Sequence, residues 1–241
     1  MARALTTHAT SYTLNSGPCR RARLIDTVQV YDVEEQVRRG IKKSGILRKD
    51  ICLCTKLWCN YYHPDDVEGA LDDTLRDLDT PYVDLLMMHY PCTFKREPDH
   101  FPGERRWKND WQDQGHGVSN FSKGEIKTLL EESSTDRKSS PAPAVHQMEV
   151  HPYFQQTSFN EWLRARGIHV TGWSKQVAHM MRKYGKSPVQ VVLAWGINSG
   201  GSVILKSVVD WQIEKSLEAG FELHAEDMSQ ISDSERKSSL Q

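Results

Sequence analysis

Four ionisable side chains lie at the ends of short segments in this 241-residue chain. Asp26 and Tyr31 stand in I-D-T-V-Q-V-Y, Lys56 in T-K-L-W and His89 in M-H-Y-P. A carboxylate, a phenol, an ammonium and an imidazole gathered in one pocket can deliver a proton to a carbonyl oxygen. Taken singly, each has a plainer reading. A tyrosine near a strand end is usually a packing residue, and an Asp–Lys pair is usually a surface or structural ion pair. Everything depends on the elements that hold them.

Those elements alternate. Short apolar runs at 23–26, 51–56, 83–88, 144–150, 168–173 and 202–205, with the segment ending in G-V-S-N-F at 117–121, read as strands. Helical patterns fall between them. Val33, Val37 and Ile41 recur every four residues up to Ser44-Gly45, and Val67, Ala70, Leu71, Leu75 and Leu78 form a stripe behind Pro64, Asp65 and Asp66. Further helices are expected at 123–132, around Phe159, Trp162 and Leu163, at 188–197 and, last, at 211–217. Seven strand candidates in βα alternation fit an incomplete (β/α)8 TIM barrel, an α/β fold, better than a doubly wound sheet. No G-x-G-x-x-G opens any helix, so a Rossmann reading lacks its central evidence. In such barrels functional residues sit at the C-terminal ends of strands. Asp26, Lys56, His89, Asn120, Gln147 and Trp173 all fall there.

Residues 1–241 are expected to form one domain with a long loop at 92–116, rich in charge, Pro, Gly and Trp, and a polar tail at 229–241. Charge is nearly balanced, 31 basic against 32 acidic side chains, which implies no broad attraction to nucleic acid or membrane. No apolar run approaches the roughly 18–20 residues that span a bilayer. Five cysteines, odd in number and without C-x-x-C, suggest reduced thiols in a cytoplasmic protein, and ten histidines show no metal-ligand spacing. The first 25 residues carry Arg3, Arg20, Arg21 and Arg23 but no acid. They read either as a strand at 11–15 followed by a basic joint, or as something loosely like a mitochondrial transit peptide.

The motifs R-L-I-D-T-V-Q-V-Y, I-K-K-S-G-I-L-R-K-D-I, T-K-L-W, Y-V-D-L-L-M-M-H-Y-P, G-V-S-N-F-S, P-A-V-H-Q-M-E-V-H-P-Y and V-I-L-K-S occur in the order found in the aldo-keto reductases. The chain resembles that family over roughly 23–91, 117–174 and 187–227. The resemblance implies an NADPH-dependent oxidoreductase that reduces aldehyde and ketone carbonyls to alcohols, an aldehyde reductase or NADP-dependent alcohol dehydrogenase. It implies a monomer acting on small molecules, without metal, nucleic acid or membrane. It makes Tyr31 the general acid, Lys56 the group that stabilises its phenolate, Asp26 the lysine's partner and His89 the group that orients the carbonyl. For NADP(H) it implicates Ser119, Asn120 and Gln147 at the nicotinamide carboxamide, and Trp173, with Ser174 beside it, at the nicotinamide ring. Lys206 and Ser207 would hold the phosphates. Trp58, Tyr90, Phe94 and Phe101 resemble the aromatic wall of the substrate pocket, with plain core packing as the other reading.

The chain also departs from the pattern. The family's G-x-G-T-W-type first strand and the helix after it are absent, as are a helix and most of a strand before Gly117. The loop that closes over the pyrophosphate after Ser174 is lost or shortened. Gln212 stands where an arginine usually meets the 2′-phosphate, and Lys215 and Ser216 stand where an acid and an amide grip the adenine. These departures suggest an open barrel. They support an alternative function, a catalytically impaired remnant or splice variant that acts at most as a nucleotide- or protein-binding module.

Overall fold

The structure, a computed structural model, describes residues 5–8, 23–94, 115–135, 142–173, 184–206 and 210–233. Eight parallel strands close into a ring in chain order. They are β1 (Leu5–His8), β2 (Leu24–Asp26), β3 (Cys52–Leu57), β4 (Leu85–Met88), β5 (Gly115–Ser119), β6 (Val145–Glu149), β7 (His169–Trp173) and β8 (Ser202–Lys206). The fold is therefore a TIM barrel. The helices outside it are α1 (Glu34–Ser44), α2 (Pro64–Leu78), α3 (Lys123–Thr135), α4 (Thr157–Arg164), α5 (Pro188–Asn198), α6 (Asp210–Leu217) and α7 (Ala225–Asp233).

The G-x-G-T-W-type strand is missing from the sequence, yet the ring has no open edge. Leu5–His8 stands in its place, with Thr7 opposite Ile25 of β2 on one side and Leu205 of β8 on the other. Ladder bonds come from backbone groups, so four residues of another sequence can close the ring and remove both edges. The strand expected at 11–15 lies outside the described residues. Among the described residues no helix stands between β1 and β2 or between β4 and β5.

Two further expectations are corrected. Residues 115 and 116, assigned to the long loop, belong to β5, where Gly115 pairs with Leu85; residues 95–114 lie outside the described residues. Residues 229–233, assigned to the polar tail, are helical, so α6 is not the last helix. Buried Ile231 anchors that turn, and the Gln155 side chain donates to the carbonyls of Ile231 and Ser232.

Local chemistry explains the helix limits. α1 carries Glu34 and Glu35 in its first turn and Lys42 and Lys43 in its last, each sign facing the opposite end of the helix dipole. It stops at Gly45, which takes the left-handed conformation at φ 69°. α2 begins with Pro64, whose missing N–H costs nothing there, while His63 Nδ1 accepts from the Asp65 N–H.

Alternation along the strands sorts side chains between two cores. Leu53 and Leu57 of β3 pack outward with Val37, Val67, Ala70 and Leu78 of α1 and α2. Val118, Met148 and Val170 do the same with Ile126 and Leu163. The opposite face of each strand lines the barrel interior, which narrows at β5. A Cβ added to Gly117 would lie 2.8 Å from the Val145 carbonyl oxygen and 3.0 Å from Met87 Cγ. Glycine at that position leaves room for Met87 to fill the interior. No helix among the described residues is long and apolar enough to cross a membrane.

Candidate active site

Lys56 belongs to the inward face of β3, and Asp26 ends β2. Nζ of Lys56 donates to Asp26 Oδ2 at 2.5 Å, with both side chains almost wholly buried, and also reaches the Thr27 carbonyl at 3.4 Å. Gln147 Nε2 donates to Asp26 Oδ1 at 3.1 Å. β6 and β2 are not neighbours in the ring, so this last bond crosses the barrel interior. Two charges removed from water are costly unless paired and hydrogen-bonded, and here each has its partners. Sequence reasoning placed Gln147 at a cofactor amide. Its bond to Asp26 was missed, because only closure of the ring sets β6 opposite β2.

Tyr31 lies just past β2, on a 3-10 turn (Gln29–Tyr31) that Asp32 ends in the left-handed conformation at φ 51°. Its ring is 46% exposed and meets the His89 ring edge-on, with centroids 6.4 Å apart. Burial, then Tyr90, then Asp26 push the Tyr31 phenol above its ordinary value of 10. The lysine charge is engaged by Asp26, and the carboxylate's own field opposes ionisation of the phenol.

His89 follows β4, and its N–H donates to the Leu57 carbonyl at 3.2 Å. The buried ring lies 5.2 Å from Trp58 and 4.7 Å from Tyr90. Trp58 also meets Tyr90 at 6.1 Å and Phe94 at 5.9 Å. Tyr90 and Phe94 are 39% and 49% exposed, so these aromatics line an open surface and are not ordinary core. The Tyr62 hydroxyl, not singled out from the sequence, accepts from the Tyr90 N–H at 3.0 Å and braces that wall. Phe101 lies outside the described residues.

Asn120 directly follows β5 at φ 61°, a conformation asparagine tolerates better than most residues. Its Nδ2 donates to the His89 carbonyl at 3.0 Å and to Ser119 Oγ at 3.1 Å, and its own N–H donates to the Gln147 carbonyl at 2.9 Å. Asn120 thus ties the ends of β4 and β5 with its side chain and β6 with its backbone N–H. Hydroxyl and amide groups on adjacent strand ends can both donate and accept hydrogen bonds. Trp173 ends β7 and is partly exposed. Lys206 ends β8 in the backbone ladder, opposite His8; Ser174 and Ser207 lie outside the described residues.

On α6, Ser216 is buried and its hydroxyl donates back to the Gln212 carbonyl at 2.6 Å. A second buried pair, Glu149 with His151 at 3.2 Å, lies at the end of β6, and its only sequence signal was the E-V-H spacing.

An eight-stranded barrel with a buried ion pair and an aromatic wall at its C-terminal strand ends defines an enzyme-like class of protein. Comparison with known proteins narrows it. A model of the aldo/keto reductase family matches residues 19–177. The chain is 34% identical over 263 residues to the NAD(P)H-dependent D-xylose reductase of Scheffersomyces stipitis, covering 87% of this chain and 81% of that protein. It is 32% identical to the D-galacturonate reductase of Hypocrea jecorina, covering 93% and 81%. A solved aldo/keto reductase from Brucella melitensis matches with a TM-score of 0.77 at 27% identity, covering 95% of this chain and 92% of the other. An aldose reductase from Schistosoma japonicum shares the fold, with a TM-score of 0.81 at 23% identity, over 98% and 89% of the two chains. The chain belongs to the aldo/keto reductase family.

Proposed function

We propose that this protein reduces aldehyde and ketone carbonyls to alcohols with NADPH, with Tyr31 as the proton donor. The observation that carries the reading is the buried Asp26–Lys56 pair at the strand ends, with the Tyr31 and His89 rings 6.4 Å apart beside it. Bound NADPH would supply the hydride that reaches the carbonyl carbon. Tyr31 keeps its proton at neutral pH and gives it from Oη as the oxygen becomes alkoxide-like. Lys56 then stabilises the phenolate left behind, and Asp26 holds the lysine in place. His89 donates a hydrogen bond that orients the carbonyl, while Trp58, Tyr90, Phe94 and Phe101 shield it from water.

Ser119, Asn120 and Gln147 hold the carboxamide, Trp173 and Ser174 border the nicotinamide, and Lys206 and Ser207 take the phosphates. The same reading makes residues 1–241 one domain, acting as a monomer in the cytoplasm. Replacing Tyr31 by Phe removes only the proton donor. Reduction of a small aldehyde should fall by roughly 10²–10⁴-fold with cofactor affinity nearly unchanged. Turnover equal to the parent would remove Tyr31 from the mechanism.

One observation favours the second reading, a binding module with impaired chemistry: the Tyr31 phenol is raised and not lowered. Single-turnover hydride transfer separates the two. NADPH binding without any oxidation on adding aldehyde would select the binding module. Gln212 is neutral, and charge-assisted bonds are roughly twice as strong as neutral ones. Gln212→Arg should therefore tighten NADPH more than NADH. Equal effects on both cofactors would mean that this position does not meet the 2′-phosphate.

A further inference from the structure

Two cysteines flank the aromatic wall. Cys59 opens the 3-10 turn Cys59–Tyr61, immediately after Trp58, and is fully buried. Cys92 lies two residues beyond Tyr90 and is exposed. Their sulfurs are 3.7 Å apart. The strands that precede them, β3 and β4, are neighbours, and further bonds tie the two segments together. The Phe94 N–H donates to the Cys59 carbonyl at 3.4 Å, and the Tyr62 hydroxyl, bonded to the Tyr90 N–H, lies 3.9 Å from Cys59 Sγ. A disulfide needs its sulfurs at about 2.0 Å. Rotation about the two Cα–Cβ bonds is the motion that would close the remaining gap.

We propose that Cys59 and Cys92 are a peroxide-responsive dithiol whose disulfide locks the aromatic wall of the site. Their exposures assign the order of events. Cys92, reachable from solvent, attacks hydrogen peroxide as its thiolate; the O–O bond breaks, hydroxide leaves and takes up a proton to become water, and Cys92 becomes a sulfenic acid. Cys59 then attacks that sulfur, the S–O bond breaks, a second water leaves, and the S–S bond forms. Two thiols lose two electrons, and one peroxide is reduced to two waters. Burial, then the neighbouring Cys92, raise the Cys59 thiol to about 11, which makes it a poor first nucleophile.

The other close pair provides an internal control. Cys52 and Cys54 have sulfurs 3.9 Å apart but belong to one strand, two residues apart. At about 3.3 Å per residue their Cα atoms sit near the upper limit for a disulfide, and the strand cannot fold to bring them closer. Proximity of sulfurs alone is therefore insufficient, and only the pair on separate segments closes.

The bond is independent of the enzymatic reading, whereas its consequence for carbonyl reduction rests on it. Peptide mapping of the peroxide-treated chain under non-reducing conditions tests the bond without any activity measurement. The expected product is a Cys59–Cys92 cross-linked peptide, lighter by two hydrogens and released by dithiothreitol. Cys59→Ser should leave Cys92 as a sulfenic acid trappable by dimedone, and exposed Cys92→Ser should leave Cys59 unmodified at the same peroxide dose. A Cys52–Cys54 link, an intermolecular disulfide or sulfenic Cys92 beside an alkylatable Cys59 in the parent would overturn the proposal. If Cys59→Ser misfolds, the parent and Cys92→Ser alone decide it. Where the parent turns over, oxidation should raise KM for aldehydes by roughly threefold to tenfold, the size of one lost aromatic contact, reversibly and not in Cys92→Ser. A cross-link that forms while KM stays constant would overturn the locking of the wall and leave the reductase reading intact.

Discussion

The buried pair of Asp26 and Lys56 is the most consequential contact at the residue scale. Lys56→Met would leave the Asp26 carboxylate buried without its cation, with the neutral Gln147 amide still donating to it. Breaking one side of a buried ion pair costs about 3–5 kcal/mol, whereas replacing both members is often nearly neutral. Lys56→Met should thus be strongly destabilised in urea unfolding, and adding Asp26→Asn should restore much of the loss while activity stays absent. A double mutant no more stable than the single one would mean that the cost comes from lost packing and not from the stranded charge. Asp26 and Lys56 were legible in the sequence because T-K-L-W and I-D-T end strands. The titration of Tyr31 was not, since it depends on how deeply the folded chain buries the phenol and on Tyr90 and Asp26 arriving beside it from other segments.

Two glycines separate packing from backbone conformation at the element scale. Gly117 of β5 has the Val145 carbonyl and Met87 within 3.0 Å of any added Cβ. Gly45 caps α1 at φ 69° with nothing within 4 Å. Gly117→Ala should cost about 1–3 kcal/mol by overpacking the barrel interior. Gly45→Ala should cost about 1 kcal/mol through the left-handed backbone alone. Measured against its own cost in the parent, Met87→Ala, which removes the clashing Cγ, should offset part of the first loss and none of the second. Equal rescue of both would show that packing is not what distinguishes them. Helix limits at Pro64 and Gly45 were readable from sequence, since the causes are local. The start of β5 was not, because Gly115 becomes a strand residue only by pairing with Leu85.

Two buried ionisable groups in the outer layer set opposing pH dependences for the whole molecule. Burial pulls His146 down to about 4, against a hydrogen bond with the Phe121 backbone. Above pH 6.5 its neutral ring stabilises the fold, and that stability is lost as pH falls toward 4, because the unfolded chain takes up the proton first. Glu34 is raised to about 7, chiefly by burial, with the Thr55 hydrogen bond pulling it back, Asp77 adding to the rise and Thr74 opposing it. Its contribution is present below about 4.5 and lost as pH rises through 7. Each is worth about 3 kcal/mol at most by the conversion from pKa shift to free energy. Between pH 4.5 and 6.5 the two slopes have opposite signs and largely cancel. Glu34→Gln should expose the histidine, giving unfolding free energies that fall steeply from pH 6.5 to 4.5 while the parent's stay nearly flat. A variant as flat as the parent would mean that the two groups do not oppose each other.

The chain's sequence determined the βα alternation, the α/β barrel class and the strand ends that bear Asp26, Lys56, His89 and Asn120. Each follows from periodicity and motif within a few residues. Closure of the ring was decided only by the tertiary structure. Four N-terminal residues with no strand signature complete it, because backbone pairing with β2 and β8 is indifferent to side-chain identity. The tertiary structure also decided the cross-barrel bond from Gln147 to Asp26, through closure, and the meeting of Cys59 with Cys92, through the pairing of β3 with β4. These contacts join residues 121 and 33 positions apart in the chain. No local pattern encodes such a contact, because it exists only once separate strands have been fixed side by side or face to face.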